Sequence, residues 1–479
     1  MWQRGPAIVE HSRIAGCAMR TSAAALATAA TSMLFAGALF LAVPVAAQQV
    51  EHAYPDTHAT FVHLGSGVPG LYYEPQNPGP KAAIAVFVMH ASGDYLEMPA
   101  CAELSERGYR VLCANNTNNK AMESDFDMDR ALLDAKLGVE WLRKQANVRK
   151  VVLLGHSGGG VLMSAYQAVA EKGLSACNGP EKLAPCASSV AGLPAADGIV
   201  LLDANYGIST MTLFSLDPAI LDERSGRKID PSLDLFNPKN GFDPAGSTYG
   251  PAFQHRFEAG VARRSQRLVA TATARLKLID AGKGQFRDDE PFIVPGAYYL
   301  GGNNKFFAQD TRFLAHTRNA WPLLHQDGST TTEIVHSVRR PQGMRPLSDS
   351  YAEGALRTTV RKYLVSHAIR VGNDFGYDES GIHGVDWTSS YTTPIGNVHN
   401  VTVPLLTMGM TAGYEYLAAE LIYENSASAD KSIAFVEGAT HIFLPCAPCG
   451  ATPDQYGDTK KTLFDHVDQW LAKPGRFLD

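Results

Sequence analysis

Apolar positions follow two rhythms along this chain. Short unbroken runs occupy residues 83–89, 110–114, 151–154, 199–202, 403–408 and 433–436. A run without alternation suits a strand covered on both faces, as in a parallel sheet. Between the runs the period lengthens towards a helical one. Residues 124–144 carry Leu132, Leu133, Leu137, Trp141 and Leu142 as a stripe. Residues 161–169 and 417–423 also read as helices, and 459–471 closes the chain with Leu463, Phe464, Val467, Trp470 and Leu471 on one face. Strands alternating with helices predict an α/β protein with a mostly parallel, doubly wound sheet.

The alternation lapses between residues 205 and 395, which are rich in Gly, Pro, Arg and aromatics. Only 253–280 reads as a clear helix, with Phe253, Phe257, Val261, Leu268 and Leu276 inward and Arg263, Arg264 and Arg267 as a solvated face. The expected organisation is a core of residues 48–204 and 396–479, with 205–395 inserted as a cap. A large cap favours an enclosed pocket and a small or medium-sized substrate. Tyr298, Tyr299, Trp321 and Trp387 are its candidate pocket aromatics.

The first residues alter the compartment. Residues 22–43 are apolar and rich in small side chains, follow Arg13 and Arg20, and end in Val45-Ala46-Ala47. That order is the order of a secretory signal peptide, expected over residues 1–47. Cys17 precedes the apolar run, whereas a lipoprotein site needs its cysteine after one. Nothing later is apolar over the ~18 residues a spanning helix needs. The net charge of −6 and the lack of a basic run give nucleic acid no footprint.

Cysteine usage fits export. Of seven cysteines, Cys17 falls in the leader, which leaves an even set. Pairing neighbours in sequence predicts disulfides Cys101–Cys113, Cys177–Cys186 and Cys446–Cys449. Cys446-Ala447-Pro448-Cys449 has no second CxxC and no HxxxH to complete a zinc site, so no metal is expected. A redox CxxC would open a helix, which Pro448 and Gly450 do not favour.

The chemistry concentrates at Val151–Gly160, VVLLGHSGGG. A strand ends in Gly155-His156-Ser157-Gly158-Gly159 and a helix follows at once. Such a turn lifts the Ser157 hydroxyl above the carboxyl edge of a parallel sheet. A serine hydroxyl needs an adjacent base. His441 is the best placed histidine, because it follows an apolar strand through Gly438-Ala439-Thr440. His156 points elsewhere in such a turn. The oxyanion formed on attack needs fixed N–H donors. Gly158, at a helix start, is one. Ser92, in the loop after the first strong strand, is the expected second, with His90 shaping the turn.

With these residues in place, the chain resembles the α/β-hydrolase superfamily, in its serine esterase and lipase branch. The resemblance covers roughly residues 60–204 and 396–475. It rests on Met89-His90-Ala91-Ser92-Gly93, on the elbow at Ser157 and on Val436-Glu437-Gly438-Ala439-Thr440-His441, in the family's order. It implies a Ser–His–acid hydrolase without a cofactor. It also implies an Asp near position 412, which is alanine here. Glu415 is the nearest carboxylate and the favoured acid. Asp203, ending the strand after the elbow helix, is the alternative. The expected activity is hydrolysis of a carboxylic ester through an acyl-enzyme. Cleavage of an amide or a C–C bond on the same groups, and a non-catalytic binding protein of this fold, are the other readings.

Overall fold

A computed structural model describes residues 54–120, 126–298, 305–342 and 349–478. The expected leader, residues 1–47, lies outside them. The strands are β1 (Thr57–Gly65), β2 (Val68–Pro75), β3 (Ile84–Met89), β4 (Arg110–Ala114), β5 (Lys150–His156), β6 (Gly198–Leu202), β7 (Pro291–Val294), β8 (His316–Leu324), β9 (Thr330–His336), β10 (Leu356–Thr359), β11 (Arg370–Tyr377), β12 (Ile382–Asp386), β13 (Leu405–Met410) and β14 (Lys431–Val436).

Ten of them form one sheet in the order β1-β2-β4-β3-β5-β6-β13-β14-β8-β9. The ladders from β4 through β8 are all parallel, while β1, β2 and β9 join antiparallel at the edges. All six predicted apolar runs are strands of the parallel part, and β3, β4 and β6 are buried along their whole length. Helices cover both faces. Pro99–Glu106 and Thr459–Leu471 pack on one, through Cys101, Leu104, Leu463, Phe464 and Trp470. Met128–Arg143, Gly158–Lys172 and Leu417–Asn425 pack on the other, through Leu132, Val139, Leu162, Tyr166 and Ile422. This is the doubly wound arrangement that the sequence predicts. From β3 the chain moves outward to β4, then returns to the far side of β3 as β5. The strand order therefore reverses between β3 and β5, and such a switch point opens a crevice at the carboxyl ends of the strands.

The stretch 205–395 is not a cap throughout. Its β8–β9 hairpin extends the core sheet, with Leu323 and Leu324 registered against Phe435 and Val436 of β14. The rest has its own helices, Ile208–Ser215 and Pro251–Asp280, and two small antiparallel pairs, β7–β10 and β11–β12. One residue read as solvated is not. Arg263 and Arg267 are exposed, but Arg264 is fully buried. Its guanidinium donates twice to Glu223 (2.8 and 2.6 Å) and once each to the carbonyls of Asp217 and Pro295. The guanidinium fork matches a carboxylate bidentately, which satisfies a charge that burial would otherwise penalise.

Disulfides join Cys101 to Cys113, Cys177 to Cys186 and Cys446 to Cys449, the pairs predicted from sequence. Thiol titration of the denatured, unreduced chain lacking residues 1–47 should therefore detect no free thiol. One or more reactive thiols would contradict these pairings. No helix among the described residues is long and apolar enough to cross a membrane.

Candidate functional site

The turn after β5 is strained. Ser157 has φ 54° and ψ −125°, in the left-handed region that non-glycine residues rarely occupy. Its N–H reaches the Leu202 carbonyl (3.4 Å), and its own carbonyl accepts from Gly160 and Asn205. The turn is so tight that a Cβ on Gly155 would lie 2.5 Å from the Gly159 carbonyl oxygen. That close approach is why a strand can pass into a helix here within one residue.

The loop after β14 brings His441 to the same edge. The neighbour of Ser157 holds it there: His156 Nε2 lies 2.6 Å from the His441 carbonyl oxygen, and the two rings are 4.7 Å apart. A carbonyl only accepts, so the proton of His156 is on Nε2. Its Nδ1 is then the acceptor for the Tyr95 hydroxyl at 2.6 Å. Burial, then the charge of His441, hold His156 well below the usual histidine range. His156 is thus a neutral strut for the histidine loop.

The partner of His441 is Asp203, not the favoured Glu415. His441 Nδ1 is 2.6 Å from Asp203 Oδ2. The other oxygen of Asp203 accepts the Met410 N–H at 2.9 Å, and the carboxylate is completely buried. The physical reason lies in strand length. β13 runs to Met410, and Ala412, the position expected to carry an acid, spends its N–H on the Ala439 carbonyl. Asp203 turns off the adjacent β6 with φ 43°, a conformation Asp tolerates better than most residues. Glu415 is nevertheless close. The ligand-type atoms of Asp203, Glu415 and His441 lie within 4.8 Å of one another.

Two carboxylates around one imidazole set its basicity. Burial pulls the His441 pKa down, but the charge of Glu415 and the hydrogen bond and charge of Asp203 outweigh it, raising it to about 9. Burial also pushes Asp203 up, against the stabilising hydrogen bond from His441.

The loop after β3 differs from expectation. The Ser92 N–H, the expected second oxyanion donor, points at His90 Nδ1 (3.1 Å), and the Gly93 N–H points there too (2.5 Å). The ring of His90 folds back beneath its own turn and takes both donors. Gly158 stands where expected, at the first turn of the helix Gly158–Lys172, where backbone N–H groups lack helical partners.

Aromatics of the insertion that the sequence did not single out cluster with Tyr414 of the core. Phe307 packs on Phe214 (5.2 Å), Tyr377 (5.2 Å) and Tyr414 (4.9 Å), and Tyr206 packs on Phe214 (5.5 Å). All five are buried. Of the residues expected there, Trp387 stacks on Tyr206, while Trp321 lies on β8 and donates to Glu420. Tyr298 is half-buried, and Tyr299 lies outside the described residues.

No protein-family model matches the chain, and no curated protein does. Among solved structures, it is similar to a hypothetical protein from Pseudomonas aeruginosa, with 12% identity over 88% of this chain and 98% of that one and a TM-score of 0.40. It is also similar to the esterase Est1E from Butyrivibrio proteoclasticus, with 12% identity, 86% and 97% covered and a TM-score of 0.34. A soluble variant of monoglyceride lipase from Saccharomyces cerevisiae gives 13% identity, 88% and 96% covered and a TM-score of 0.38. The chain's own architecture is the α/β-hydrolase fold: a parallel sheet with the serine elbow after β5, the Asp203 turn after β6 and the histidine loop after β14.

Proposed function

We propose that this protein is a serine hydrolase that cleaves a carboxylic ester of small or medium size. Ser157 attacks the carbonyl carbon while His441 takes its proton. Asp203 holds the imidazole through Nδ1, so that Nε2 serves as the base, and steadies the imidazolium that forms. The Gly158 N–H receives developing negative charge on the carbonyl oxygen. The imidazolium then protonates the leaving alcohol. Water activated by His441 releases the acid and restores Ser157. The observation that carries this reading is the 2.6 Å Asp203–His441 contact on the loop that His156 ties to the serine elbow. No cofactor has a role in it. The three disulfides support the further inference that residues 1–47 export the chain. The test is a panel of chromogenic esters combined with mass detection of an organophosphonate adduct. Turnover with one adduct on Ser157 supports the proposal; an adduct elsewhere, or none, sinks it.

Glu415 has a separate, smaller role in this scheme, as a charge that keeps His441 basic. The working base is the neutral imidazole, so the acid limb of kcat/KM should follow the His441 pKa. Glu415→Gln removes a raising charge, lowers that pKa and moves the acid limb to lower pH. A pH–rate profile that stays in place would show that Glu415 does not act on the base.

A further inference from the structure

We infer that the second oxyanion donor is the Nε2–H of the His90 side chain rather than the backbone of Ser92. The inference rests on reading Ser157 as the nucleophile. A neutral imidazole has one donor and one acceptor nitrogen. Nδ1 of His90 faces two backbone N–H groups, from Ser92 and Gly93, and must therefore be the acceptor. The proton is fixed on Nε2. That nitrogen lies against Gly158: a Cβ there would come within 2.8 Å of Nε2. Glycine after the serine thus leaves room for a ring N–H beside the backbone N–H of the same residue, so both donors border one space. β3 and β5 are neighbours at the switch point of the sheet, which is why residues 90 and 158 meet.

The ring is held in this pose. It stacks on Tyr95 at 4.5 Å and 16°, and Asn116 donates to the carbonyls of His90 (2.6 Å) and Ala91 (2.9 Å). Burial, then the charge of His441, hold its pKa down to about 3, so it stays neutral while His441 carries the transferred proton. A fixed neutral donor strengthens its hydrogen bond as charge builds on the oxygen, with no reorganisation. No bond to His90 forms or breaks; the proton stays on Nε2 throughout.

Two substitutions separate this role from turn-shaping. Asn at position 90 can place its oxygen near the site of Nδ1, keeping the acceptor and losing the distal donor. Gln can place an amide N–H near the site of Nε2. His90→Asn should lower kcat about 10²–10³-fold with KM little changed, and slow phosphonylation of Ser157 by a similar factor. His90→Gln should recover at least a tenfold part of that loss. In the wild-type full chain, selectively 15N-labelled at histidine, the His90 Nε2 resonances should shift when Ser157 is phosphonylated. His90→Asn within threefold of wild type, or an Nε2 signal that ignores the adduct, would overturn the inference while Ser157 labelling still stood. Failure of wild-type Ser157 to label would overturn the nucleophile as well.

Discussion

Ser157→Ala is expected to lower kcat on the order of 10⁶-fold without loss of the fold. The hydroxyl is the only group removed. The contacts that hold the elbow are backbone ones, to the Leu202 carbonyl and from the N–H groups of Gly160 and Asn205, and alanine keeps all of them. Alanine also keeps a Cβ, so the cost of φ 54° is unchanged. Thermal unfolding should therefore match the wild type while ester turnover and phosphonate labelling both vanish. A variant that retains turnover would remove Ser157 from the chemistry, and one that unfolds early would show that the hydroxyl itself supports the turn.

The second large effect belongs to Asp203. Asp203→Asn is nearly isosteric, yet kcat should fall about 10⁴-fold. The Met410 N–H already points at Oδ1, so the asparagine must keep its oxygen there. Its NH₂ group then faces His441 Nδ1 and donates to it. The imidazole proton is driven to Nε2, the nitrogen that has to accept from Ser157. Flipping the amide would set two N–H donors against each other at Met410, so the wrong tautomer has no easy escape. Glu415→Gln touches none of these hydrogen bonds and should cost far less in kcat at the pH optimum. A collapse on Glu415→Gln with little effect of Asp203→Asn would reverse the assignment.

Local pattern carried much of this architecture. The parallel strands announce themselves because burial on both faces leaves no room for polar alternation, and Thr459–Leu471 was legible to the residue. The edge elements were not. β9 reads TTTEIVH and is exposed at all but Val335, while β1 is mostly exposed along its length. An edge strand need bury little, so it leaves little apolar signal. The carboxylate partner of His441 was hidden for another reason. Choosing between Asp203 and Glu415 depends on β6 lying beside β13 and on β13 running two residues past its apolar run, both matters of sheet geometry. Asp203 following a buried strand directly, at a turn suited to a left-handed aspartate, was the available hint. The turning of the Ser92 N–H towards His90 has no local signal either, because nothing nearby in sequence shows the ring curling back under its turn. Arg264 was misjudged because its partner Glu223 lies far along the chain.

The β8–β9 hairpin limits how this protein could breathe. Strand β8 is laddered to β14, the Glu437 N–H bonds to the Leu324 carbonyl, and the Val338 N–H and the Ser337 hydroxyl both bond to the Thr411 carbonyl. The insertion is thus moored in its middle, beside the loops that carry His441 and Glu415, as well as at its two ends. A swing of the whole insertion about its ends would tear a strand from the core sheet. Any widening of the path to Ser157 therefore falls to shorter pieces on either side of the mooring. A crosslink placed between those pieces should slow substrate entry, whereas one that staples β8 to β14 should leave it unchanged.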